Sequence, residues 1–141
     1  MNNNNALLSA SEFYEVPFHD CDPMQVVWHG NYARYLELAR CKLLRLFNYD
    51  YNDMYDSGYM WPIIDMRIKY VGATVFTQQI KIEAFLKEYE QRLKIDYIIS
   101  DAQTGKKLTK ATTTQVAVCM QSKEMQFESP AVLLTKIAKV L

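Results

Sequence analysis

FHDCDPMQVVWHGNYARYLELAR, residues 18–40, sets two histidines, two aspartates and a cysteine directly before a run with helical periodicity. From Tyr32 onward, Tyr35, Leu36, Ala39, Leu43, Leu46 and Phe47 recur at helical spacing, while Arg34, Cys41 and Arg45 fall on the opposite side. The pattern predicts one amphipathic helix of about four turns. Gly30 and Asn31 mark its start, and Asn31 is the expected N-cap. A polar, aromatic connection at 48–58, NYDYNDMYDSG, follows and has room for a helical turn of its own.

Working outward from this core, Tyr14, Val16 and Phe18 alternate with polar or small positions and predict a short strand, with Pro17 at its edge or end. Downstream the chain keeps period two for nearly its whole length. Ile64, Met66, Ile68 and Tyr70 share one face, Ile80, Ile82, Ala84 and Leu86 a second, and Leu93, Ile95, Tyr97 and Ile99 a third. Thr112, Thr114, Val116, Val118 and Met120 predict a fourth, longer strand, and SDAQTGKK at 100–107 reads as the hairpin before it. Ser129 as N-cap and Pro130 at the first helical position open a closing helix, with Leu133, Leu134, Ile137 and Leu141 inward.

The order is strand, long helix, four strands, short helix. No βαβ alternation is present, so an α+β domain is expected in which a mainly antiparallel sheet wraps one long helix. A single sheet around a single helix leaves an edge and a helix flank uncovered, which predicts self-association as a homodimer or homotetramer. The Asn tract at 2–5 offers little to bury, so residues 1–10 are expected to form a disordered tail and 11–141 a single domain.

Composition narrows the function classes. Sixteen basic and sixteen acidic residues cancel, which argues against nucleic acid as a partner. Three cysteines without CxxC spacing argue against a disulfide framework and against a structural zinc site, and fit a reducing compartment. The N-terminus has no signal-peptide pattern and no later stretch is long and apolar enough for stable membrane insertion, so a cytoplasmic location is expected.

The loop itself admits three chemistries. His19, Asp20, Asp22 and His29 are plausible metal ligands, but neighbours in an extended chain point apart and no established two-His spacing is present. A Cys21 nucleophile with His29 as base is disfavoured because the flanking Asp20 and Asp22 oppose the thiolate. The third chemistry pairs a carboxylate with the start of the helix, where unpaired backbone N–H groups and the helix dipole favour an oxyanion. Gly30 removes a side chain there and lets a substrate approach the backbone. Asp22 then acts on a carbonyl directly or through water.

Residues 18–40 closely resemble the signature of the hot-dog-fold acyl-CoA thioesterases, specifically the 4-hydroxybenzoyl-CoA thioesterase-like group. The shared pattern is Asp, any residue, Asp-Pro, a hydrophobic pair, an aromatic, and Asn-Tyr opening the helix. The element order over residues 11–128 also matches that fold. The resemblance implies a hydrolase of acyl-CoA or acyl-carrier-protein thioesters with no metal or organic cofactor. It places the catalytic carboxylate at Asp22 and the oxyanion donor at the backbone N–H of His29, with Trp28, Gly30, Asn31 and Tyr32 around the substrate. Glu37 is a second candidate carboxylate, because another hot-dog branch carries its acid on the helix, although pairing with Arg34 or Arg40 is the simpler expectation. One departure stands out: Gln25 occupies a position where the family usually has glycine. Within the fold, a dehydratase or hydratase and a non-catalytic acyl-binding module are the alternatives.

Overall fold

A computed structural model describes residues 6–141. The first strand, β1 (Leu8–Glu15), starts within the stretch expected to be a tail, whose residues 1–5 lie outside the described residues. It begins early because Leu8, Ala10 and Tyr14 pack against the core, and pairing with the fourth strand runs from Leu8↔Leu86 to Glu15↔Gln79. Val16 is fully buried, but Phe18 leaves the expected alternation and turns outward in a 3-10 turn at Phe18–Asp20.

The long helix α1 (Tyr32–Leu46) follows a second 3-10 turn at His29–Asn31. Its buried face comprises Tyr32, Tyr35, Leu36, Ala39, Arg40, Leu43 and Leu44, whereas Leu46 is exposed. Asn31 is already helical in its backbone and makes no cap hydrogen bond, since the preceding 3-10 turn has taken over the start of the helix. A short helix α2 (Tyr51–Asp56) is held by a reciprocal capping box between Asp50 and Asp53.

Five strands form one antiparallel sheet in the order β1-β4-β5-β6-β3. These are β3 (Ile63–Tyr70), β4 (Gln79–Glu88), β5 (Leu93–Asp101) and β6 (Lys107–Gln115), added to β1. Ile80, Ile82, Ala84 and Leu86 of β4 and Leu93, Ile95, Tyr97 and Ile99 of β5 are fully buried beneath α1, as the period-two pattern predicts. The β5–β6 hairpin closes as expected around Asp101, whose carboxylate accepts the Gln103 and Thr104 N–H groups, while Gly105 takes φ 77°. Hydrogen bonding from Gln78 and those turn amides holds the Asp101 carboxyl down at about 2.

Two predicted elements, the fourth strand and the closing helix, differ from the sequence reading. The predicted long fourth strand is two strands: β6 ends at Gln115, and β7 (Val118–Cys119) pairs instead with β2 (Tyr59–Met60). The break lies where Gln115 Nε2 donates to the Trp61 carbonyl at 2.8 Å. The core-facing residues of β6 are Thr109, Ala111 and Thr113, opposite Ile99, Tyr97 and Ile95, so Thr112 and Thr114 face away from α1. The closing helix α3 (Ala131–Ala138) starts one residue late: Ser129 Oγ donates to the Tyr89 carbonyl and accepts no N–H of the first helical turn; Leu133 and Ile137 are buried and Leu141 is exposed.

Strand β3 is the sheet edge on one side. Its apolar residues Ile64, Met66 and Tyr70 are exposed even though they share a face, since α1 covers the β1–β4 side of the sheet.

Candidate active site

The loop between β1 and α1 is built around Asp20, which is 2% exposed. Its carboxylate accepts the Tyr35 hydroxyl at 2.7 Å and pairs with Arg34 Nη2 at 2.5 Å, with His19 Nε2 3.7 Å away. Burial pushes this carboxyl up, but the hydrogen bonds from Arg34 and Tyr35 and the charges of Arg34 and His19 outweigh it and hold it below the usual range. The Asp20 backbone carbonyl accepts both the Trp28 N–H at 3.0 Å and Asn31 Nδ2 at 2.9 Å. One residue thus ties the end of the loop to the first turns of α1.

Between these anchors the chain makes a tight hairpin. The Asp22 N–H donates to the Val26 carbonyl, Gln25 N–H to the Asp22 carbonyl, and Met24 N–H to Asp22 Oδ1, each at 2.9 Å. Gln25 closes the turn at φ 66°, the left-handed region that glycine adopts without strain. A second segment, residues 71–77, zips onto the hairpin: Val27 N–H donates to the Thr74 carbonyl at 2.7 Å and Phe76 N–H to the Gln25 carbonyl at 3.2 Å.

Cys21 fits no nucleophile. Burial pushes its thiol up, the charges of Asp20 and Asp22 add to the rise, and Sγ donates to the Pro17 carbonyl at 3.6 Å. Among the described residues no group of three His, Cys, Asp or Glu side chains converges to hold a metal ion. Among the same residues no helix is long and apolar enough to cross a membrane.

A cleft of about 240 Å³ opens beside the hairpin, lined by Val26, His29, Tyr32, Tyr70, Val71 and Thr74 among others. Of the residues singled out from the sequence, His29 and Tyr32 line it. Asp22 does not, but it lies directly across the hairpin from Val26, which does. Asp22 Oδ2 and the backbone N–H groups of His29 and Gly30 have no protein partner among the described residues.

Trp28 and Gly30 are arranged differently from the sequence expectation. The space a side chain on Gly30 would take is filled by the Trp28 indole: a methyl group there would lie 2.1 Å from Trp28 Cζ3. Glycine at 30 accommodates Trp28 in this structure. The indole is itself 51% exposed and its centroid lies 5.2 Å from that of the His29 ring. Asn31 does not line the cleft, and its Nδ2 donates to the Asp20 carbonyl.

Glu37 lies in a separate depression on the outer side of α1, with Arg34, Cys41 and Arg45. The expected pairing with Arg34 or Arg40 is not formed. Arg34 is engaged by Asp20, and Arg40 is buried, donating to the Tyr51 and Tyr97 hydroxyls at 3.1 and 3.5 Å. On the sheet face away from α1, Arg67, Lys69, Lys94 and Lys110 ring Asp96 in a depression of about 470 Å³.

One residue of interest escaped the sequence reading, and another, Arg40, was expected to pair with Glu37 and lies elsewhere. Thr74 sits in a loop with no periodicity to mark it, and Arg40 falls on the apolar stripe of α1, where a cation is not expected.

The family model of the thioesterase-like superfamily matches residues 16–137. YneP of Bacillus subtilis (strain 168), named a candidate acyl-CoA thioesterase, is 27% identical over 115 residues, covering 80% of this chain and 83% of that protein. Among solved structures, a 1,4-dihydroxy-2-naphthoyl-CoA thioesterase from Synechocystis superposes with TM-score 0.82 at 17% identity, covering 94% of this chain and 98% of the other. A 4-hydroxybenzoyl-CoA thioesterase in complex with 4-hydroxybenzoyl-CoA gives TM-score 0.78 at 20% identity, covering 92% and 98%. With a family model matching residues 16–137, the chain belongs to the thioesterase-like superfamily of hot-dog-fold proteins.

Proposed function

We propose that this protein hydrolyses acyl-CoA or acyl-carrier-protein thioesters, with Asp22 supplying the carboxylate and the His29 N–H holding the oxyanion. The observation that carries this reading is that one loop holds both a carboxylate oxygen and backbone amides free of protein partners. Asp22 keeps one carboxylate oxygen without a protein donor, and the first amides of the helical segment keep their hydrogens unpaired beside the cleft. Such amides stabilise negative charge as it develops on a thioester oxygen. The hairpin bond from Met24 N–H fixes the other Asp22 oxygen and orients the carboxylate.

In this mechanism the thioester carbonyl oxygen points at the His29 N–H. Asp22 either attacks the carbonyl carbon, giving an anhydride that water then opens, or removes a proton from a water that attacks in its place. In both routes the C–S bond breaks, the thiolate leaves and takes up a proton, and the products are a carboxylic acid and a free thiol. Trp28, Gly30, Asn31 and Tyr32 serve the substrate at this end: Tyr32 as a wall of the cleft, Trp28 and Gly30 as a packed pair at the helix start, and Asn31 by fixing the loop carbonyl.

The working unit is a homodimer, or a tetramer built from it. Edge strand β3 offers unpaired backbone along Ile63–Tyr70, together with exposed Ile64, Met66 and Tyr70, and Tyr70 also lines the cleft. Purified protein incubated with a panel of acyl-CoA thioesters and a free-thiol reagent tests the activity. Release of CoA thiol above the spontaneous rate supports it, and absence of release across short, long and aromatic acyl groups contradicts it.

A further inference from the structure

Thr74 is completely buried, yet its hydroxyl has no hydrogen-bond partner among the described residues. It lines the same cleft as His29 and Tyr32, and the other lining side chains on its segment, Val71 and Ala73, are apolar. A buried hydroxyl left unpaired is costly, and valine would fill the same volume without that cost. Its backbone fixes it in place, since the Thr74 carbonyl accepts the Val27 N–H at 2.7 Å, two residues from His29. Full burial, an unpaired hydroxyl and a place in the lining of an open cleft coincide in one residue.

We infer that the Thr74 hydroxyl is a specificity-determining contact that bonds a neutral hydrogen-bonding group of the substrate close to its thioester. This rests on the thioesterase reading of the same site. The chemistry fits an amide of the thiol arm or a hydroxyl on the acyl chain, because a hydroxyl both donates and accepts and carries no charge to select an ion. A substrate without such a group leaves the hydroxyl unpaired and is discriminated against.

The test compares wild-type protein, Thr74→Val and Thr74→Ser in two readouts. The first is thermal unfolding without ligand. The second is kcat and KM on three thioesters of one acyl length: an acyl-CoA, its 3-hydroxyacyl counterpart, and a simple alkyl thioester without amides. The expected result is that Thr74→Val melts higher but loses about ten-fold in kcat/KM, mainly through KM, while Thr74→Ser retains most of the activity. A loss on both CoA substrates but not on the alkyl thioester assigns the contact to the thiol arm. A loss confined to the hydroxyacyl substrate assigns it to the acyl chain. Unchanged kinetics in Thr74→Val, equal losses on all three substrates, or a lower melting temperature would each overturn the inference. A wild-type protein that hydrolyses none of the three overturns the thioesterase reading itself and the inference with it, whereas active wild type with an indifferent valine variant removes the inference alone.

Discussion

The Tyr35 hydroxyl on α1 donates to the Asp20 carboxylate at 2.7 Å, so the loop that carries Asp22 is pinned to the central helix through a buried acid. Asp20→Asn keeps the shape but weakens the bond to Arg34 and the acceptor for Tyr35. A loss of roughly 1–3 kcal/mol is expected in denaturant unfolding, the range for a buried polar group losing its partner. Because Asp20 is held below its ordinary range in the folded protein, its contribution is fully present above the unfolded carboxylate value of about 3.9. It is lost as pH falls below that value and through the folded one. Unfolding curves from pH 6 down to about 3 should therefore converge for wild type and Asp20→Asn.

Gln25 pays for a left-handed backbone that glycine would adopt freely. Relief of roughly 1–2 kcal/mol of strain, set against about 0.5–1 kcal/mol of extra chain entropy, leaves Gln25→Gly more stable by about 0.5–1 kcal/mol. Thermal unfolding checks the sign directly, and a lower melting point for Gln25→Gly would show that its side chain makes a contact that outweighs the turn.

The period-two strands and the long helix were legible because their periodicity records which side chains are buried; β4 alternates as predicted, whereas β5 is buried on both faces, with Asp96, Ile98 and Ser100 buried beside Ile95, Tyr97 and Ile99. Strand β3 carries the same pattern but is exposed, because alternation marks a face that needs covering without saying whether the cover lies in the same chain. The break after Gln115 and the inward face of β6 were hidden for a different reason. Threonines fit either face of a sheet, so Thr109 and Thr113 cannot be told from Thr112 and Thr114 by polarity. At the candidate site, residue type and spacing single out Asp22 and the helix start as the groups the proposed function uses. The seat of Trp28 on Gly30 and the burial of Thr74 depend on three-dimensional contacts that no local pattern encodes.

Trp28 and Gly30 act as one unit, and a double-mutant cycle detects this. A methyl group at position 30 collides with the indole, so Gly30→Ala in the wild-type background should displace Trp28 and alter its fluorescence. In a Trp28→Ala background the same change should cost little. Additive effects of the two substitutions on thioester turnover would refute the coupling.

Assembly through β3 predicts that a charge on its apolar face disrupts the oligomer. Met66→Lys should shift the protein toward monomer in light scattering while leaving the far-UV circular dichroism unchanged. Wild-type protein that is monomeric at micromolar concentration would contradict the proposed working unit.

Single-turnover hydrolysis of an acyl-CoA by Asp22→Asn tests the proposal that the Asp22 carboxylate performs the chemistry. Asparagine keeps the size of the side chain and an oxygen to accept from the Met24 N–H, but it can neither attack a thioester as a carboxylate nor take a proton from water. The rate should fall by about a hundred-fold or more, with little change in substrate affinity or melting temperature. Glu37→Gln, which alters the carboxylate on the outer side of α1, should hydrolyse near the wild-type rate. An Asp22→Asn protein that turns over normally beside an inactive Glu37→Gln would move the catalytic carboxylate to the helix and contradict the account.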